Sequence, residues 1–135
     1  VVSLEDMREV ISPEGPVDNT ILVDARGSSF SKGYIPGSIN IPYSSLLDTN
    51  NTGRFRPRAE LEKILVDAGV HTQITMSSRI ICTCNSGVSA CNLYLALREC
   101  GVPESALRLY DGSWQEYNLY PELPKRIPPK TASNE

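Results

Sequence analysis

Cys82, Cys84, Cys91 and Cys100 are the residues of this sequence best equipped for covalent chemistry, and one of them stands apart. Cys84 follows the apolar run Ile80-Ile81-Cys82-Thr83 and precedes Asn85-Ser86-Gly87-Val88-Ser89-Ala90. That pattern predicts a buried strand, a tight turn and the start of a helix. The sulfur then lies at the carboxyl end of a strand, where α/β sheets hold their ligands. Backbone N–H groups in the first turn of a helix have no intrahelical partner and carry the positive end of the helix dipole. Gly87, with the small Ser86 and Ser89, allows the backbone to curl. The expectation is a nest of amide donors around Cys84 that favours its thiolate, the nucleophilic form. Asn85, Ser86, Gly87, Val88 and Ser89 would then be the substrate-binding residues around it.

Cysteine is also a common small buried hydrophobe, and that reading suits Cys82, Cys91 and Cys100. A metal site does not suit the set. Cys91 and Cys100 are nine residues apart in a predicted helix, which at about 100° per residue puts them on opposite faces. Cys82-Thr83-Cys84 also lacks the spacing of a zinc knuckle. The thiols are expected to be reduced.

The elements that must position Cys84 alternate between strand and helix, which predicts an α/β domain with a mainly parallel sheet. Ser3 and Asp6 cap a first helix over Leu4–Ile11, stopped by Ser12-Pro13-Glu14-Gly15-Pro16. Ile21–Asp24, Ile39–Ile41, Arg79–Thr83 and Leu107–Tyr110 read as short buried strands. Pro57 opens a helix to about Ala68 that Gly69 closes. Val88–Glu99 reads as a buried helix, and Ser113 as the cap of a last short one with Trp114 and Tyr117. A single domain over residues 1–123 and a loose tail over 124–135 follow.

Composition sets the frame. The chain has 135 residues, 40% hydrophobic and 21% charged, which is enough for one core and typical of a globular protein. No apolar run reaches the roughly 18 residues of a membrane span. A net charge of −3, with one short basic cluster at Arg54, Arg56 and Arg58, does not make a nucleic-acid footprint. The chain begins at Val1 with no secretory signal, which reads as a processed chain or an excised domain of an intracellular protein, cytoplasmic or mitochondrial.

Four segments together carry a family resemblance: Asp24-Ala25-Arg26, Gly33-Tyr34-Ile35-Pro36-Gly37-Ser38-Ile39-Asn40-Ile41-Pro42, Cys84-Asn85-Ser86-Gly87-Val88-Ser89-Ala90 and Leu109-Tyr110-Asp111-Gly112-Ser113-Trp114. In order and spacing, over about residues 3–123, they resemble a rhodanese-domain sulfurtransferase. The loop is most similar to the catalytic C-terminal half of 3-mercaptopyruvate and thiosulfate sulfurtransferases. The resemblance implies a rhodanese-like fold, with about five strands and helices on both faces. It also implies a Cys84 persulfide that takes sulfur from 3-mercaptopyruvate or thiosulfate and passes it to cyanide or a thiol such as that of thioredoxin. No cofactor or metal is implied. A second rhodanese domain, N-terminal in the same full-length chain, is a further expectation.

Residue by residue, Ser86 matches a position implied to assist proton movement. The neutral Asn85 and Ser86 favour the singly charged mercaptopyruvate over dianionic thiosulfate. The family's substrate-holding arginines after the Asp-x-Arg strand are missing from Arg26-Gly27-Ser28-Ser29-Phe30-Ser31-Lys32-Gly33. Arg26 and Lys32 are the substitutes, against a structural ion pair for Arg26 and solvent for Lys32. Asp24 reads as a loop brace, and His71, in a surface turn, matches no family site. Two other functions compete. A phosphatase or arsenate reductase on the same scaffold needs an arginine six residues after its cysteine, where this chain has Ala90. A non-enzymatic rhodanese-like module is the other, although such modules have usually lost the cysteine.

Overall fold

The computed structural model describes residues 1–17, 19–48, 54–70 and 78–127; His71 lies outside the described residues. Around Cys84 the chain makes a four-stranded parallel sheet: β3 (Thr20–Asp24), β4 (Ile39–Asn40), β5 (Arg79–Thr83) and β6 (Leu107–Leu109), in the order β4-β3-β5-β6. β1 (Ile11–Ser12) and β2 (Gly15–Pro16) form a separate antiparallel pair. A fifth, minimal partner sits at the far edge, where Val2 bridges Tyr110 in parallel and its N–H donates to the Leu109 carbonyl at 2.8 Å. The mainly parallel arrangement is the one expected above, with four strands and this single bridge where about five strands were expected.

The two central strands, β3 and β5, are apolar because both their faces are covered. Side chains alternate across the sheet. Ile21, Val23, Ile80 and Cys82 share one cluster with Leu61 and Leu65 of α2 (Arg58–Asp67) and with Ala90, Leu93 and Leu97 of α3 (Val88–Glu99). Leu22 and Ile81 share the other with Met7 of α1 (Leu4–Val10) and Tyr117 of α4 (Ser113–Tyr117). Burying Leu22 or Leu93 completely is worth about 1.5–3 kcal/mol each, so these two layers hold the sheet. The helices therefore lie on both faces.

Local chemistry fixes the boundaries. Ser3 and Asp6 form a reciprocal capping box at the start of α1. α1 ends one residue short of the expected Ile11, which is taken by β1. Pro57 precedes α2 instead of opening it, and Gly69, at φ 89°, turns the chain after it. Ser113 was expected to cap α4; it is instead its first residue, and Gly112 occupies the cap position with no side-chain bond. Residues 124–127, assigned from sequence to a loose tail, are tied in. Arg126 exchanges backbone hydrogen bonds with Tyr34 at 2.8 and 2.9 Å, and Tyr117 Oη donates to the Pro124 carbonyl at 2.8 Å. Residues 128–135 lie outside the described residues.

Candidate active site

Cys84 is the first residue after β5, in the loop that leads from that central strand to α3 and packs against the start of α4. Two orphan N–H groups in the first turn of α4 find acceptors in the Cys84 loop: Trp114 N–H donates to the Cys84 carbonyl and Gln115 N–H to that of Asn85, both at 2.9 Å. The fully buried Ser113 hydroxyl joins them. It accepts the Cys84 N–H at 3.1 Å, donates to the Tyr110 carbonyl at 2.8 Å and lies 3.9 Å from Cys84 Sγ. Ser113 has φ 56°, a left-handed conformation unusual for a residue with a side chain. Its two hydrogen bonds, from the Cys84 N–H and to the Tyr110 carbonyl, hold it there.

The sulfur itself is 2% exposed and packs into the cluster that contains Cys82 and Ala90. One backbone amide reaches it: the Gly87 N–H donates to Sγ at 2.9 Å. The expectation of several amides around Sγ is corrected to this one. The Cys84 and Asn85 carbonyls face α4, so across trans peptides the Asn85 and Ser86 N–H groups face away from it. Those two amides have no acceptor among the described residues. Gly87 is required at its place. Its φ is 98°, and a Cβ there would stand 2.7 Å from the Asp111 carbonyl oxygen and 2.8 Å from Asp111 Oδ1.

The other residues singled out from sequence fall in different places. Asn85, Ser86 and Val88 are exposed at the loop rim and Ser89 is half-buried. Arg26 is only 5% exposed. Its Nε lies 3.2 and 3.1 Å from the two Asp24 carboxylate oxygens, its Nη2 3.0 Å from Oδ2, and Nη2 also donates to the Gly33 carbonyl at 2.7 Å. The guanidinium is stacked between Trp114 and Phe30, at 5.0 and 5.6 Å from their ring centroids. Burial pushes the Asp24 carboxyl up, while the hydrogen bonds and charge of Arg26 pull against it. Arg26 thus occupies the structural ion pair weighed against its substrate role, and it braces the residue 27–34 loop against Trp114. Lys32 is exposed with no ion pair among the described residues.

The four cysteines are free thiols in unlike surroundings. Burial pushes the Cys82 thiol far up from its ordinary range. Cys91 is exposed and Cys100 buried, as opposite helix faces require. Ala90 is fully buried, so its position offers no group to an oxyanion. Sequence reasoning missed the part of Ser113, which it treated as a cap. The signal was the Asp111-Gly112-Ser113-Trp114 motif itself, but only the fold shows that its hydroxyl faces the Cys84 backbone.

A parallel α/β sheet with a cysteine loop at the carboxyl end of its central strand, clamped by a second short helix, defines the class. The Rhodanese-like domain model matches residues 4–119, and the chain belongs to that family. The 3-mercaptopyruvate sulfurtransferase of Escherichia coli (strain K12) is 31% identical over 92% of this chain and 41% of its own length. The thiosulfate sulfurtransferase TUM1 of Saccharomyces cerevisiae is 42% identical over 68% of the chain and 30% of its own length. The crystal structure of the Saccharomyces cerevisiae Tum1 protein superposes with a TM-score of 0.70 at 32% identity, covering 90% of this chain and 44% of that one. The chain therefore spans less than half the length of these relatives. Among the described residues, no helix is long and apolar enough to cross a membrane.

Proposed function

We propose that this chain moves a sulfur atom from 3-mercaptopyruvate or thiosulfate to cyanide or a thiol, through a persulfide on Cys84. The observation that carries the proposal is the Gly87 N–H on Cys84 Sγ at 2.9 Å. A main-chain N–H aimed at the sulfur offers a hydrogen bond to negative charge placed there, and the first step needs a nucleophilic sulfur. In that step the Cys84 thiolate attacks the outer sulfur of the donor. A new S–S bond forms, and the electron pair of the broken bond leaves with sulfite, or with the enolate of pyruvate, which takes a proton. The persulfide carries one negative charge on an atom about 2 Å beyond Sγ. The Asn85 and Ser86 amides, without an acceptor among the described residues, are the groups left to meet it.

In the second step cyanide or a thiolate attacks that outer sulfur, and the electron pair returns to Cys84 Sγ. No oxidant or reductant is consumed. Thioredoxin is the kind of dithiol acceptor that fits this chemistry, and a second rhodanese domain in the same full-length chain could wall the site. The neutral loop rim, together with an Arg26 engaged by Asp24, supports the singly charged mercaptopyruvate as the preferred donor. One observation favours a non-enzymatic module instead: Cys84 is 2% exposed. Kinetics separate the two. Covalent relay predicts parallel double-reciprocal lines when donor and cyanide are varied; intersecting lines, or no turnover with either donor, would contradict it.

A further inference from the structure

Beside the Cys84 loop an open groove of about 360 Å3 is lined by Ser86, Asp111, Gln115, Glu116, Leu119 and Tyr120. Its inner end touches the reactive loop, because Asp111 Oδ1 lies directly against Gly87, whose N–H holds the sulfur. The second carboxylate is fixed in place. Tyr110 Oη donates to Glu116 Oε1 at 2.8 Å, and the same oxygen folds so closely over Gly112 that a Cβ there would stand 2.2 Å away. Neither acid has an ion pair among the described residues, unlike Glu122, which Arg8 holds at 2.8 Å. Leu119, which also lines the groove, is 73% exposed.

We infer that this groove selects the acceptor: it takes a peptide or protein thiol with basic residues flanking its cysteine and an apolar side chain to lie on Leu119. The inference rests on the sulfur-transfer reading above. The charge argument is direct. Two carboxylates beside the loop, one of them held by Tyr110, attract a cationic thiol and repel an anionic one, and the effect is long-ranged enough to act on encounter. In the transfer, the acceptor thiolate attacks the outer sulfur of the Cys84 persulfide. The S–S bond to Sγ breaks with its electron pair on Cys84, and the acceptor leaves as the persulfide.

The test uses protein loaded with sulfur from thiosulfate, with loading read by intact mass. Two synthetic peptides share a central Ala-Cys-Leu, one flanked by lysines and the other by glutamates. At low salt the lysine peptide should discharge the persulfide about tenfold faster. That preference should collapse in D111N/E116Q, which keeps the shape of both side chains, and in wild type at about 0.5 M salt, where the field is screened. Equal rates at low salt would overturn the inference alone. So would a preference that survives both the double variant and the salt, since it would then belong to the peptides' own thiols. Should the variant fail to fold, the salt series on wild type decides. A wild-type protein that never gains sulfur would overturn this inference together with the reading beneath it.

Discussion

Two loops leave the carboxyl ends of neighbouring parallel strands, and they are built on opposite principles. The loop after β3 carries the charges: Asp24 and Arg26, both buried, satisfy each other and the Gly33 carbonyl. The loop after β5 carries no charged side chain, yet it holds the sulfur by a backbone amide and keeps further amides without an acceptor among the described residues. A buried arginine beside a site is therefore spent on architecture when a carboxylate two residues away meets it. On the proposed reading the chemistry falls to the main chain, whose loop carbonyls are held in place by the N–H groups of α4.

That contrast can be broken by substitution on either side. Gly87→Ala should do most harm, because it forces a Cβ into Asp111 and a strained φ into the loop; persulfide formation should fall about 100-fold or more, as misplacing a catalytic group by an ångström does. A rate within threefold of wild type would mean that the amide geometry is not what activates Cys84. Arg26→Ala should act on stability, with a loss of about 3–5 kcal/mol in urea unfolding, since Asp24 is left buried and uncompensated. If the variant is as stable as wild type but its KM for the donor rises, Arg26 binds substrate after all.

Ser113→Ala strands the buried Cys84 N–H and should cost about 1–3 kcal/mol, measured the same way. A fully stable variant would show that α4's backbone contacts hold the loop without the hydroxyl. Lys32→Ala should change stability by less than about 0.5 kcal/mol and leave the donor KM unmoved, because the side chain is exposed and has no ion pair among the described residues. A clear rise in KM would return Lys32 to the substrate site.

The sequence made the strand-turn-helix around Cys84 legible because burial leaves a plain mark there: an apolar run, then small residues and a glycine. β5 and α3 fall where the pattern put them. What stayed hidden has one physical origin. Whether Arg26 faces a substrate or Asp24, and whether Ser113 caps a helix or holds the Cys84 backbone, depends on contacts between segments far apart in the chain. Ser113 and Cys84 are separated by 29 residues. The tie of residues 124–127 was hidden for the same reason, since their Pro and Lys content says nothing of the Tyr34 backbone that pairs with Arg126.

The most direct test of the account is the mass of the protein after incubation with thiosulfate or 3-mercaptopyruvate. The intact chain should gain one sulfur atom, lose it on adding cyanide, and gain nothing as Cys84→Ser, with the added atom mapping to the peptide that contains residue 84. A wild-type protein that gains no sulfur from either donor, or a Cys84→Ser variant that gains it as readily, would contradict the account.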